Sequence, residues 1–294
     1  MRKIIFSILI AFAPLSAAQT ASLLEVRSEP EAVELRFAKE NMVKSQATER
    51  NYRIQTALFG PEPENGYPVL FILDGDAYFT SVATFAKALS QSPVKDDSLS
   101  LLVVGVGYSA DNLLDLKQRS LDYTPPLRDD ATAEEQSRFG QGDRFYQFLN
   151  QELIDYLATH YSLDRSQLAI YGHSFGALYG LYDLLLKDSQ FNFFVLSSPS
   201  IWWHDKRILD FVGDWQQTQG KHVRITVGEL EGAVAQDDIR RSSRDMMGHA
   251  QNLFQQLKAE GVEAEFAIYP DESHGTVAYK SVLDSIKFLQ SKLR

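Results

Sequence analysis

Six short, largely apolar runs recur along the chain, at residues 69–73, 101–106, 168–171, 193–196, 223–227 and 264–269, each flanked by turn-forming residues. Runs of this length between turn residues predict strands buried on both faces, as in a parallel sheet. Between them the apolar positions recur at helical spacing. Phe145, Leu149, Leu153, Tyr156 and Leu157 share one face, as do Leu178, Leu181, Tyr182 and Leu185, then Met246, Ala250, Leu253 and Leu257, and finally Tyr279, Leu283 and Ile286. Strand alternating with helix predicts right-handed βαβ units with helices on both sheet faces, an α/β class protein. Residues 25–59 pattern differently, with β-like stretches such as 52–58, and predict antiparallel strands at the sheet's edge. Residues 122–143 are rich in Pro, Gly and acids and predict a loop too long for an ordinary βα connection, the kind that commonly forms a lid or binding loop.

The N-terminus departs from this pattern. Arg2 and Lys3 precede an apolar run over residues 4–15, and the small residues Ser16, Ala17 and Ala18 follow. Basic segment, apolar segment and small-residue site together read as a secretory signal cut after Ala18. An uncleaved anchor is disfavoured by Pro14 and by a run shorter than the roughly 20 apolar residues a span needs. Residues 19–294 are then expected to be one α/β domain with no membrane span, since no linker or internal repeat divides them. Export points to a bacterial periplasm, or to secretion.

Composition narrows the chemistry. With 44% apolar and 23% charged residues in 294, the chain is an ordinary globular one, long enough to bury a sizeable core. Its 29 basic and 39 acidic residues leave a net charge of −10, and no basic stretch follows the N-terminus, which argues against nucleic acid as a partner. The count of zero cysteines excludes thiolate metal sites, a cysteine nucleophile, disulfides and a lipoprotein anchor.

Gly172-His173-Ser174-Phe175-Gly176 stands directly after the strand-like residues 168–171 and directly before a helical pattern. That context marks a nucleophile elbow: small residues two before and two after the serine let the strand-to-helix turn close, and the turn lifts Oγ clear of the sheet. The turn also opens a helix, so the Phe175 amide and the positive end of the helix dipole face the place where an oxyanion forms. A base is expected near the C-terminus after the last strand, and His274 in Pro270-Asp271-Glu272-Ser273-His274-Gly275 fits. His160, His173, His204, His222 and His249 fit worse by position. The acid is expected after the strand at 223–227, where Gly228-Glu229-Leu230-Glu231-Gly232 holds two carboxylates. Glu231, further into the loop, is the choice, with Glu229, Asp271 and Glu272 in reserve. The second oxyanion amide is expected after the strand at 69–73, from Asp76, with Gly75 permitting the turn. Asp74 and Asp76 alone are too few oxygen ligands for a hard cation, so no metal and no cofactor are expected.

Five further blocks accompany the elbow: residues 67–75, Val104-Gly105-Val106-Gly107-Tyr108, residues 119–125, Ser198-Pro199-Ser200-Ile201-Trp202-Trp203 and Ser273-His274-Gly275. With them the chain resembles the "Putative esterase" (esterase D-like) family of the α/β-hydrolase superfamily, and within it the periplasmic siderophore esterases that open enterobactin-type trilactones. The resemblance runs from about residue 52 to the C-terminus; Ala177 stands where the family commonly has a further glycine. It implies an α/β-hydrolase fold, with a mostly parallel central sheet, helices on both faces and N-terminal antiparallel edge strands. It also implies a serine hydrolase of carboxylic esters acting on a small-molecule ester, siderophore lactone or short-chain or aryl ester. Substrate contacts are implied for Gly75, for Arg119 through a substrate oxygen, and for Trp203 as a wall of the acyl pocket. Residue chemistry leaves alternatives open: Arg119 pairing with Asp122, and the adjacent tryptophans as core anchors. The rival functions are acyl transfer through the same acyl-enzyme and a catalytically idle binding protein that keeps the fold.

Overall fold

Every residue of Tyr67–Leu73 (β3) and Leu101–Gly107 (β4) is buried, as continuous apolar runs covered on both faces require. In the computed structural model, which describes residues 33–94, 99–108, 111–186, 188–212, 215–232 and 244–292, these two strands lie inside an eight-stranded sheet. Ala38–Lys44 (β1) and Asn51–Phe59 (β2) precede them; Leu163–His173 (β5), Phe193–Ser197 (β6), His222–Gly228 (β7) and Glu263–Tyr269 (β8) follow. The strand order is β1-β2-β4-β3-β5-β6-β7-β8. β1 pairs antiparallel with β2, and β2 with β4, while all other pairs are parallel, so the N-terminal strands do form an antiparallel edge. The signal segment 1–18 and residues 25–32 of the edge segment lie outside the described residues. From Leu35 onward the described residues form one compact unit.

Side chains alternate across each strand and feed two cores. Leu70, Ile72, Leu101, Val103 and Tyr171 face helices Gly75–Ser90 (α1) and Val277–Lys292 (α9), whose Phe79, Val82, Ala278, Val282 and Ile286 pack against them. Val69, Phe71, Val104, Ile170, Leu196 and Ile225 face the other way, toward Phe175–Leu184 (α6) and Met246–Ala259 (α8), with the short helical segment Trp203–Lys206 (α7) between these two in the chain. The strand that extends furthest beyond its apolar run is β5, Leu163–His173 against residues 168–171. Its start at Leu163, next to Tyr67, lies in the polar stretch Asp164-Arg165-Ser166-Gln167, which masks it in a hydrophobic profile.

Three helical readings need correction. The helix expected over residues 145–157 is Gly142–Gln147 (α4), a π-helical turn Phe148–Leu153 and Ile154–Ala158 (α5). A π turn inserts a residue into the helical ladder, and here it turns Asn150 inward to donate to Asp183 Oδ2 at 2.8 Å and accept from the Gln190 amide at 3.0 Å. On α9 the buried face is centred on Ala278, Val282 and Ile286, with Ser281 and Ser285 also buried, while Tyr279 is 43% exposed. Residues 122–143 are not a free loop. They follow Leu116–Asp122 (α2) and contain Ala133–Arg138 (α3), started by a Thr132/Glu135 capping box. Thr124 pins the return, its Oγ1 accepting from the Gly140 amide at 2.7 Å and its carbonyl from the Gly142 amide at 2.9 Å.

Asp122 is fully buried and pairs with Arg50, and it accepts from the Tyr52 and Tyr108 hydroxyls at 3.0 Å each. Burial pushes its carboxyl up to about 6, against the pull of Arg50 and the two tyrosines. It is therefore not the partner of Arg119. Among the described residues no helix is long and apolar enough to cross a membrane.

Candidate active site

The strand-to-helix turn after β5 bends hardest at Ser174, which sits at φ 58°, ψ −114°, a conformation that costs a non-glycine residue about 1–3 kcal/mol. The turn is held from both sides. The Ser174 amide donates to the Ser197 carbonyl at 2.9 Å, and the Ser174 carbonyl accepts from Leu178 at 3.0 Å. The two elbow glycines are not equivalent. A Cβ on Gly172 would overlap the Gly176 carbonyl and lie 2.7 Å from the Ala177 nitrogen, whereas a Cβ on Gly176 would meet nothing nearer than Leu73 Cβ at 3.6 Å.

His274 arrives from the loop between β8 and α9. That loop is fastened by the Val277 amide to the Ser273 carbonyl at 3.0 Å and by the Ser273 amide to Thr276 Oγ1 at 2.9 Å. It is also laced to the loop after β7: Leu230 N–H donates to the Glu272 carbonyl at 3.0 Å, and Asp271 N–H to Glu229 Oε2 at 3.1 Å. Gly228 allows this contact, because any Cβ there would strike the Glu272 carbonyl. The result is a continuous chain of hydrogen bonds. His274 Nε2 lies 3.0 Å from Ser174 Oγ, and His274 Nδ1 lies 2.8 Å from Glu231 Oε2. Of the two candidate acids Glu231 therefore faces the imidazole, and Glu229 serves the backbone of the neighbouring loop. Asp271 and Glu272 do not contact the ring, and Glu272 pairs with Lys280 at 2.5 Å.

The Glu231 side chain is only 2% exposed. Burial alone would raise its carboxyl. Hydrogen bonds from His274, from Ser198 Oγ at 2.6 Å and from the Gly228 amide at 2.8 Å outweigh that and hold it below the ordinary carboxylate range. Beside the His274 ring lies His173, its centroid 4.7 Å from that of His274 and its Nδ1 3.2 Å from Ser197 Oγ. Burial, and then the neighbouring His274 and Arg119, hold it well below the usual histidine value, so it is neutral.

Two helices begin at this edge of the sheet. Phe175 is the first residue of α6 and Asp76 the second of α1, and because β3 and β5 are neighbours in register both helix ends open at the same edge of the sheet. Asp74, not Gly75, supplies the positive φ of the α1 turn, at 53°. Gly75 is needed for close approach, since a Cβ there would lie 2.7 Å from the Val106 nitrogen. The carboxylates of this loop are structural. Asp76 accepts from Arg53 Nη1 at 2.9 Å and from the Tyr108 amide at 2.7 Å. Asp74 accepts two bonds from Arg119, at 3.0 Å each.

That pairing corrects the reading of Arg119, which is 7% exposed, with its guanidinium against Asp74 and over the Tyr123 and Phe175 rings. It ties the turn after β3 to the elbow, where its Nη2 also donates to the His173 carbonyl at 3.4 Å. Trp203 likewise lies in the core, 5% exposed and packed against Phe139 and Phe175. Its neighbour Trp202 lines the cavity instead. This cavity, of about 420 Å³, is bounded by Ser174, His274, Ser200, Trp202, Leu230 and Met246, with Arg244 also at its wall. The Arg244 guanidinium stacks 4.5 Å over the Trp202 ring. Sequence reasoning missed Trp202, Arg244, Ser198, Ser200 and His173. The serines carried a signal: a strand lying between the elbow strand and the acid strand must end beside both. Arg244 carried none.

The family model described as "Putative esterase" matches residues 45–288. The ferri-bacillibactin esterase BesA of Bacillus subtilis is 26% identical over 242 residues, covering 78% of this chain and 80% of that one. The apo-salmochelin esterase of Escherichia coli O6:H1 is 30% identical over 235 residues, covering 77% and 70%. The solved siderophore hydrolase EstB from Aspergillus nidulans superposes with a TM-score of 0.75 at 22% identity, covering 88% of this chain and 97% of that one, and shows the same fold.

Proposed function

We propose, on the premise that this chain belongs to the "Putative esterase" family and is a carboxylic ester hydrolase, that Ser174, His274 and Glu231 form its catalytic unit and that its substrate is a siderophore lactone. The observation that carries the first part is the hydrogen-bonded chain from Ser174 Oγ through His274 to a buried, ionised Glu231. Ser174 Oγ attacks the ester carbonyl and His274 Nε2 takes its proton, while Glu231 fixes the tautomer and balances the imidazolium. The amides of Phe175 and Asp76 hold the oxyanion. His274 then returns the proton to the departing alcohol, and water, activated by the same ring, releases the acid. Acyl transfer and idle binding are not favoured by these relatives.

For the substrate, three supports agree. The two curated relatives act, by their names, on siderophores. Trp202 offers an aromatic wall for a planar ring, and Arg244 brings a local cation to a chain whose net charge is −10. A catecholate lactone meets both, and long-range repulsion matters little at contact under physiological screening. A panel of cyclic and linear catecholate lactones against short-chain aryl esters tests it. The lactones are expected to show kcat/KM about a hundredfold above the simple esters; equal or better turnover of the simple esters would make this a general esterase. We place the working enzyme outside the cytoplasm, after removal of residues 1–18, and intact-mass analysis of exported protein still containing those residues would refute it.

Glu231→Gln is expected to lower kcat by about tenfold to a thousandfold, because a neutral partner no longer balances the imidazolium, whereas Glu229→Gln changes it less than about twofold. Steady-state kinetics of both variants decide between the two acids. A larger effect at Glu229 would reassign the role.

A further inference from the structure

Three serines at and just past the end of β6, Ser197, Ser198 and Ser200, address three different parts of the site. Ser197 Oγ lies 3.2 Å from His173 Nδ1, Ser198 Oγ donates to Glu231 Oε1 at 2.6 Å, and Ser200 Oγ lies 3.2 Å from Ser174 Oγ. All three serines are buried. The geometry follows from topology: β6 lies between β5, which carries the nucleophile, and β7, which leads to the acid. The Ser198 amide extends the ladder by donating to the Thr226 carbonyl on β7 at 2.7 Å. Ser198 itself takes φ 46°, a left-handed conformation unusual for serine, and this turns its side chain to the acid instead of along the strand.

From this arrangement we infer that Ser198 is a positioning residue, the hydrogen-bond donor that locks Glu231 so that its second oxygen faces His274. Glu231 has two oxygens and two jobs. Oε1 is clamped by Ser198 and by the Gly228 amide, both short, and Oε2 is thereby left for Nδ1 of the imidazole. With the hydroxyl gone, Oε1 keeps one donor in a dry site. The carboxylate then rotates toward whatever donor remains, and the Oε2 to Nδ1 alignment loosens. The strained φ is explained on the same basis, as the cost of aiming a short side chain across two strands. This inference rests on the catalytic reading of Ser174, His274 and Glu231.

A double-mutant cycle separates the two. In the parent protein Ser198→Ala is expected to lower kcat about tenfold with KM unchanged, because the lost contact acts on the general base and not on bound ester. In a Glu231→Gln background the same change is expected to cost less than about twofold, since the carboxylate it served is absent. Ser198→Gly, which also lacks the hydroxyl but relaxes the positive φ, should match Ser198→Ala in kcat and stands in for it if the alanine variant fails to fold. Equal losses in both backgrounds, or no loss in the parent, would overturn the role of Ser198 while leaving the catalytic unit intact. Wild-type turnover by Ser174→Ala or by Glu231→Gln would instead overturn the catalytic reading itself.

Discussion

Ser174→Ala is expected to abolish ester turnover, lowering kcat by about a millionfold, with thermal stability unchanged within about two degrees. The loss is of that size because, among the described residues, Oγ is the one group aimed both at His274 Nε2 and into the cavity, and the oxyanion amides alone retain only a residual acceleration over water. Stability is spared because Ala keeps the same Cβ and therefore the same φ of 58°. His274→Ala is expected to match this loss, and the double variant to add little, because members of one catalytic unit are not additive. Kinetics with an aryl ester, labelling with a fluorophosphonate and a thermal melt together check it. Near-parental kcat in either single variant, or labelling that persists in Ser174→Ala, would remove that residue from the mechanism.

The second large effect concerns the turn that holds Ser174. Gly172→Ala puts a methyl onto the Gly176 carbonyl and 2.7 Å from the Ala177 nitrogen, and both obstacles are backbone with no rotamer to escape into. The elbow has to open. Overpacking of this kind costs about 3 kcal/mol or more, and a displacement of Oγ by about 1 Å costs a hundredfold in rate. Activity is therefore expected to fall by at least about a hundredfold in whatever protein folds. Gly176→Ala, at the symmetrical position of the motif, meets only ordinary contacts at 3.6 Å and 3.7 Å and replaces a helical glycine. It is expected to be neutral or to stabilise by up to about 1 kcal/mol. Melting curves and kinetics of the two variants test the contrast. Equal damage at both sites would show that the helix, not the crossing of Gly172 with Gly176, limits the turn.

What the chain's linear pattern determined is what short-range physics determines. Buried parallel strands need largely apolar runs, helices need their own spacing, and a strand-to-helix turn needs small residues around its apex, so the sheet, both helical layers and the placing of Ser174 on such a turn were legible. So was the order of the remaining groups, because His274 and Glu231 follow strands that can be counted. Other features depended on which strands became neighbours. Arg119 and Asp122 are three residues apart and of opposite charge, yet the buried guanidinium reaches Asp74, because α2 lies over the edge where β3 and β5 end. Trp202 and Trp203 are identical neighbours. The chain's path after β6 sends Trp203 into the core and Trp202 into the cavity. Gly172 and Gly176 look alike in the motif, and only the folded elbow sets one against a carbonyl and the other against open van der Waals space. The serines at and after the end of β6 acquire their partners the same way, from residues 24 to 33 positions away in the chain. Such contacts are decided by sheet order, where every pairing depends on all the others at once, and no local window of the chain contains that information.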